Sequence, residues 1–366
     1  MADAAVEASA ACADHHRPLT ILQVAYPFAP VGSDAVGGAE QILSALDHAL
    51  VRRGHRSVVV ACEGSDTAGA LFAHPMPGGA IDDAARADGH AAVRAGMDEA
   101  LRRYPVDLVH MHGIDFASYL PPPGPPCLAT LHLPPAWYPA AALHPARPGT
   151  WLHCVSAAQH RACPPSPRLL PPIPNGVPVE ALAAHRHARR GFALTLGRIC
   201  PEKGQHLALD AAHRAGAPLL LAGEVFPYQT HQDYFTTAVA PRLDRRRRWL
   251  GAVGFARKRR LLSAARCLLV PSLAAETASL VAMEALACGT PVIAFPAGAL
   301  AELIEPGRTG FLVRDAAEMA GAIRRAGEID PDICRRTARD RFSAARMIDA
   351  YLACYAALVR ETAGAV

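Results

Sequence analysis

LTILQVAYPFAPVGSDAVGGAEQILSALDHALVRRGHRSVVVAC, residues 19–62, decides the fold class. LTILQVAY (19–26) and RSVVVAC (56–62) are short apolar runs rich in β-branched residues, and between them GAEQILSALDHALVRRG (38–54) repeats its apolar positions at helical spacing. Strand, helix and strand in that order form a βαβ unit, in which the two strands lie parallel and the helix covers one face. Working outward, the alternation continues through a helix near 82–104 and the runs DLVHMHG (107–113), CLATLHL (127–133) and TWLHCVS (150–156). Strands so rich in Val, Ile and Leu, with little alternation of polar residues, suit a parallel sheet buried on both faces.

Proline becomes dense from Pro164 to Pro178, which rules out helix there and predicts a stiff, extended crossing between domains. A second α/β series follows: FALTLGR (192–198), a helix from about Lys203 to Ala215, PLLLAGE (218–224), RRWLGAV (247–253), CLLVPS (267–272), PVIAFP (291–296) and TGFLV (309–313). The chain closes on SAARMIDAYLACYAALVRETA (343–363), whose aromatic and aliphatic positions mark one apolar helical stripe. The expected organisation is a disordered leader over 1–17, a Rossmann-like domain over 18–175, a second over 176–342, and a final helix over 343–366 that crosses back to the first domain. The fold class is α/β, with two doubly wound domains facing across a cleft.

Composition agrees with 366 residues folded as two globular domains: 51% of residues are hydrophobic and 19% charged. A net charge of +4 is too weak to call for a nucleic-acid partner, although it suits an anionic substrate or an anionic membrane surface. The 10 cysteines stand singly, without CxxC pairs or Cys/His zinc spacing, and read as reduced thiols of a cytoplasmic protein. Residues 1–17 lack a basic segment followed by an apolar one, so no secretory signal is read there. No apolar run approaches the roughly 18 to 20 residues that span a bilayer, which leaves at most peripheral contact with the inner face of the membrane.

Chemistry concentrates in ETASLVAMEALACGTPVIAF, residues 276–295. Thr277 or Ser279 is placed to cap a helix running to about Ala287, with Gly289 and Pro291 stopping it. Glu276 then sits just before the helix and Glu284 about two turns inside. Eight helical residues span about 12 Å, comparable to the distance from sugar to ribose across a diphosphate, and the free amides at 278–281 would face the phosphates. LGRICPEKG (196–204) is the second concentration: a strand ends at Gly197, and Arg198 and Lys203 can both reach one diphosphate. Gly37 and Gly38 open a helix without forming GxGxxG, which disfavours a nicotinamide dehydrogenase. His132, in ATLHLPP, ends a parallel strand, where open α/β sheets place ligands. In LVHMHG, one of His110 and His112 packs inward, and His112 is the one expected to line the cleft.

The 276–295 segment resembles the glutamate, seven residues, glutamate pattern of family 4 glycosyltransferases, and the likeness runs on through GALAELIEPGRTGFLV to residue 313. The resemblance implies the two-domain GT-B fold and a retaining transfer from a nucleoside diphosphate sugar. Glu284 would hold the ribose hydroxyls, Glu276 would face the donor sugar, and Arg198 with Lys203 would neutralise the leaving diphosphate without a metal. The glycine loop at Gly37 and Gly38 would approach the donor phosphate, and His132 the donor sugar; Gly197, Ser279 and Leu280 complete the implied donor site. No cofactor is implied, since the nucleotide sugar is a co-substrate. The acceptor would be a carbohydrate, a lipid-linked sugar or a small molecule. Front-side displacement is the usual drawing for this family, and double displacement stays open beside it. Ala278 and Ser279 depart from the Phe and Gly of many relatives, which bears on the choice of donor sugar. Three rivals remain: a sugar-nucleotide epimerase or hydrolase, a phosphorylase on a similar frame, and a nucleotide-sugar-binding protein without turnover.

Two basic runs, Arg245–Arg248 and RKRR at 257–260, read as solvated faces. Asp330 and Asp332 form a DxD but open an amphipathic helix, and so read as capping acids and not as metal ligands.

Overall fold

The computed structural model describes residues 17–76, 81–184 and 187–364. All of the expected leader except Arg17 lies outside the described residues, and Arg17 pairs with Asp107. Two six-stranded sheets carry the fold, each parallel at every pairing. The first runs in the order β3-β2-β1-β4-β5-β6, with β1 Thr20–Val24, β2 Arg56–Cys62, β3 Ala70–His74, β4 Leu108–Met111, β5 Cys127–Leu131 and β6 Thr150–Cys154. The second runs β12-β11-β10-β7-β8-β9, with β7 Ala193–Leu196, β8 Leu219–Ala222, β9 Arg247–Trp249, β10 Cys267–Val270, β11 Val292–Ala294 and β12 Gly310–Leu312. Counted within each sheet, the two orders are the same Rossmann order, so the two α/β units expected from periodicity are both present.

That order has a consequence for function. The chain reverses direction across the sheet between β1 and β4 and again between β7 and β10. Ligands of open α/β sheets bind outside the carboxyl ends of the strands at such reversals, because the loops there diverge and leave a crevice. β3 was not expected from the sequence, although ALFA (70–73) is a short apolar run; its residues are partly exposed, as an edge strand allows.

Cores form on both faces of each sheet. Leu22, Val58, Val60, Val109 and Ala129 pack under the Asp83–Arg103 helix, and Leu194, Leu268, Val292, Ala282 and Leu286 pack in the second unit. The Ala344–Ala363 helix lies on the first unit: Met347, Ile348, Tyr351, Tyr355 and Leu358 share one cluster with Ile21, Leu46 and Leu128. The stripe read from 343–363 is thus buried on the sheet that begins the chain. The chain meets itself again at Val177, whose amide donates to Phe342 O at 2.8 Å.

Candidate active site

The residues assigned to the donor site from the sequence come from loops at the carboxyl ends of strands or from the helices that follow them. Gly37 is the N-cap of the Gly38–Arg52 helix after β1, His112 follows β4, His132 follows β5, Gly197 and Arg198 follow β7, and Glu276 lies between β10 and the Leu280–Ala287 helix. The two units touch at this level. Thr277 Oγ1 donates to the carbonyl of His132 at 2.8 Å, and the amide of Phe255 donates to Asp34 Oδ1 at 3.0 Å. A Cβ on Gly38 would lie 3.2 Å from Leu280 Cδ1, so the glycine loop of the first unit abuts the start of the Leu280–Ala287 helix.

Lys203 and Glu276 are joined: Nζ lies 2.6 Å from Oε1, and Ser272 Oγ donates to the same oxygen. Lys203 ends a short 3-10 turn, Pro201–Lys203, and the helix expected from that residue starts instead at Gln205. The delay has a steric cause. Gly204 takes φ 63, and a Cβ there would sit 2.3 Å from Pro271 O, so the turn is wedged against the end of β10 and only glycine fits. Glu276 is itself pinned by its backbone. Its amide donates to Ala297 O at 3.4 Å, its carbonyl accepts from Ala299 N at 2.8 Å, and a Cβ on Gly298 would lie 2.3 Å from that carbonyl.

Glu284 is buried at 3% exposure, inside the Leu280–Ala287 helix. Oε1 accepts from Lys258 Nζ at 2.5 Å, while Oε2 has no hydrogen-bond partner. Burial raises its carboxyl above the ordinary range, against the pull of Lys258, and Asp34 adds to the rise. A carboxylate oxygen left bare in such a place costs stability of about 1–3 kcal/mol or more, which a ligand hydroxyl would recover. Lys258 corrects the sequence reading of 257–260 as a solvated face, since its side chain is 14% exposed and is committed to Glu284. The reading of 245–248 is corrected in the same way for Arg247, which lies 7% exposed and bonds Asp244 at 3.0 Å and Ala212 O at 3.2 Å. Both misses have one origin. A run of cations on a short segment looks solvated until the tertiary fold shows which member turns inward.

The expected side-chain caps of the Leu280–Ala287 helix do not form. Ser279 is the N-cap residue but makes no side-chain cap bond, and the hydroxyl of Thr277 is spent on His132 O. The first amides of this helix therefore keep their donors free of side-chain capping. Gly289, at φ 80, terminates the helix as read.

Arg198 stacks over Phe226, its guanidinium carbon 5.5 Å from the ring centroid. Its charge is also felt by Glu40, in the first turn of the Gly38–Arg52 helix; burial raises that carboxyl, opposed first by a backbone hydrogen bond and then by Arg198. Glu40 was not singled out from the sequence, where an acid after a glycine pair looks like ordinary helix-dipole compensation. Gly197, at φ 132, lets the chain turn between β7 and Arg198, where a Cβ on Gly223 would strike its carbonyl at 1.8 Å.

Behind His132 lies a chain of buried rings. His132 Nε2 is 3.1 Å from His112 Nδ1 with the rings stacked, and His112 packs in turn against His110, tilted by 44° with 3.9 Å between centroids. His110 bonds Tyr355 OH at 2.7 Å and Thr130 Oγ1 at 2.6 Å, and Thr130 Oγ1 reaches His153 Nε2 at 2.7 Å. His112 is 2% exposed, so it backs His132 and does not line the cleft as expected. Burial is the main cause that keeps all four imidazoles neutral: His132 is pushed down to about 3, His153 to about 4, and His110 and His112 lie well below the usual range. His132 is therefore a neutral hydrogen-bonding group in this setting.

Asp330 caps the Pro331–Arg341 helix by accepting from Asp332 N, and Asp332 pairs with Arg335 at 2.7 Å, so both acids of the DxD are engaged structurally. Among the described residues the one close trio of metal-binding type is Cys200, Glu202 and His231, beside the Arg198 loop. Sequence spacing could not join these three, because His231 comes from the separate Gln229–Tyr234 helix.

Two family models match the chain in succession: Glycosyltransferase Family 4 over residues 36–181 and Glycosyl transferases group 1 over residues 191–328. Glycogen synthase of Mycobacterium tuberculosis is 36% identical over 166 residues, covering 43% of this chain and 39% of the relative. The D-inositol 3-phosphate glycosyltransferase of Geodermatophilus obscurus is 34% identical over 232 residues, covering 54% and 50%. The chain thus spans half or less of the length of these curated relatives. Anabaena HepE in complex with UDP-glucose superposes with a TM-score of 0.69 at 20% identity over 95% of this chain and 100% of that one, a likeness of fold.

Proposed function

The chain belongs to the glycosyltransferases of family 4, and we propose that it moves a sugar from a nucleoside diphosphate sugar to an acceptor hydroxyl, with retention at the anomeric carbon and without a metal in the reaction. One observation carries this reading. Glu284 is a buried carboxylate with one oxygen held by Lys258 and the other unpartnered; it is the fifth residue of the Leu280–Ala287 helix, little more than one turn in and not the two turns expected, and Glu276, the partner of Lys203, lies four residues before that helix. That spacing suits a ligand with a diol at one end, two phosphates in the middle and a sugar at the other.

In this reading Glu284 Oε2 accepts from the ribose hydroxyls, and Lys258 fixes the carboxylate that does so. The amides at the start of the Leu280–Ala287 helix, with Leu280 against Gly38, receive the diphosphate. Arg198 and Lys203 carry the charge that develops on the leaving oxygen; fixed cations supply there what a divalent ion supplies elsewhere. Binding then exchanges the Lys203–Glu276 contact for a Lys203–phosphate contact and frees Glu276 to meet the sugar hydroxyls. The acceptor hydroxyl attacks the anomeric carbon from the face the diphosphate leaves. Its proton passes to the departing phosphate oxygen, so no carboxylate nucleophile is required. His132, neutral and oriented by His112, offers one hydrogen bond to the donor sugar. The HepE complex makes UDP-glucose the first donor to test. The reading includes a cytoplasmic site of action, supported by nine described cysteines that are all free.

A panel of nucleotide sugars, each with and without sugar, glycolipid and small-molecule acceptors, tests it in the presence of excess EDTA. Acceptor-dependent transfer that persists in chelator, with the α or β configuration kept by NMR, is expected. Inverted product, loss of transfer in EDTA with recovery in magnesium or manganese, or epimerised donor without acceptor would each overturn the corresponding part.

A further inference from the structure

Cys200 leaves the loop after β7, Glu202 lies in the Pro201–Lys203 turn, and His231 comes from the Gln229–Tyr234 helix. One donor atom from each lies within 4.8 Å of the other two. Cys200 is 1% exposed; its thiol makes a long contact of 3.7 Å to Arg198 O and donates a hydrogen bond to the Glu202 carboxylate. His231 is 8% exposed, and its Nδ1 has no hydrogen-bond partner. A thiol, a carboxylate and an imidazole that converge while the imidazole is buried and incompletely bonded form a donor set with no evident purely structural use.

We propose that Cys200, Glu202 and His231 bind a thiophilic divalent cation of the zinc class. Sulfur, nitrogen and one carboxylate oxygen are the ligand types zinc takes, and a tetrahedral ion with bonds of about 2.0 to 2.3 Å holds its donors about 3.3 to 3.7 Å apart. The trio closes to that spacing by side-chain rotation: Glu202 is exposed, and its carboxylate already accepts a hydrogen bond from the Cys200 thiol, whose proton the metal would replace. Water takes the fourth position. On binding, the Cys200 S–H bond gives way to a sulfur–metal bond and its proton passes to solvent. Electrostatics permits the site despite Arg198, the cation that most depresses His231 after burial. Thiolate and carboxylate cancel the charge of the ion, so the occupied site is itself neutral and sets no second cation beside the guanidinium. Occupancy ties the turn carrying Lys203 to the Gln229–Tyr234 helix. The site shares the 198–203 loop with Arg198 and Lys203 but uses neither of them as a ligand, so it stands whether or not the transferase reading holds.

Cobalt is the probe. The full chain, stripped with chelator and kept reduced, is titrated with Co2+ under anaerobic conditions and followed by absorption. A thiolate-to-cobalt charge-transfer band that saturates at one equivalent, with the visible transitions of a tetrahedral ion, is expected; zinc should bleach it. Cys200→Ser should abolish the band, and His231→Ala should weaken cobalt binding by about tenfold or more, with circular dichroism unchanged. Cys163→Ser, at a half-buried thiol elsewhere, should leave the band intact. Absence of the band in the parent chain, or its persistence in Cys200→Ser, overturns the proposal. If Cys200→Ser fails to fold, a band that is undiminished in His231→Ala does so.

Discussion

Glu284→Gln and Glu276→Gln separate the two ends of the donor site. In the parent chain Glu284 Oε1 is committed to Lys258 at 2.5 Å, so Oε2 alone is available to a ribose hydroxyl. Glutamine keeps the size and one acceptor oxygen, which Lys258 will claim, and it replaces the free carboxylate oxygen by an amide donor. One charge-assisted hydrogen bond is lost, worth about 1.5–3 kcal/mol, which is a loss of roughly 10- to 150-fold in affinity. Since the ribose is present in both ligands, the weakening should be equal for a bare nucleoside diphosphate and for the nucleotide sugar. Glu276→Gln acts differently. Lys203 loses its carboxylate partner at 2.6 Å and becomes freer to meet phosphate, so the bare diphosphate should bind as well as before or better. The sugar nucleotide should lose whatever Glu276 contributed to its hydroxyls, and turnover should fall. Isothermal titration of both variants with both ligands reads this out, with thermal melting as the control for folding. If Glu276→Gln weakens the bare diphosphate as much as Glu284→Gln does, the donor does not lie along the Leu280–Ala287 helix and the assignment of roles is wrong.

Two further outcomes follow from the same geometry. Arg198→Ala and Lys203→Gln should each cut turnover at least tens of fold, from a loss of about 2–5 kcal/mol of charge stabilisation at the leaving group; parental turnover in either variant removes that residue from the clamp. Stability should also fall in acid. His132, partly exposed, and the buried His153 lie near 3 and 4 in the folded chain, against 6.5 for the ordinary imidazole. The unfolded chain therefore takes up protons that the native chain refuses, so the contribution is complete above pH 6.5 and is lost as pH falls from 6.5 toward 4. The slope is up to about 1.4 kcal/mol per pH unit for each histidine. Glu40 and Glu284, whose carboxyls burial raises, oppose this and make the net slope smaller. Urea unfolding at pH 7, 6 and 5 measures it; a midpoint that does not fall would mean that the four histidines are not held neutral.

Period and punctuation in the sequence determined the two parallel α/β units, the helix over residues 280–287 with Glu276 before it and Glu284 inside, and the amphipathic helix at the end of the chain. These are local properties. Apolar spacing selects strand or helix, Gly289 must stop a helix where φ turns positive, and a proline-rich stretch cannot be helical. Weak local signals were lost, as at the edge strand β3, whose apolar run is short and partly exposed. Pairings between distant segments were invisible for a different reason. Which cation of RKRR turns inward to Glu284, which hydroxyl reaches His132 O, and how Cys200 meets His231 are set by the approach of one segment to another, and nothing in either segment alone encodes that distance. His112 shows the limit most clearly: it follows β4 as read, yet the parallel pairing of β4 with β5 sets its ring against that of His132 and buries it there instead of opening it to the cleft. The sequence supplies the charged groups and their order along the chain, and the tertiary structure decides which of them neutralise one another before a ligand arrives.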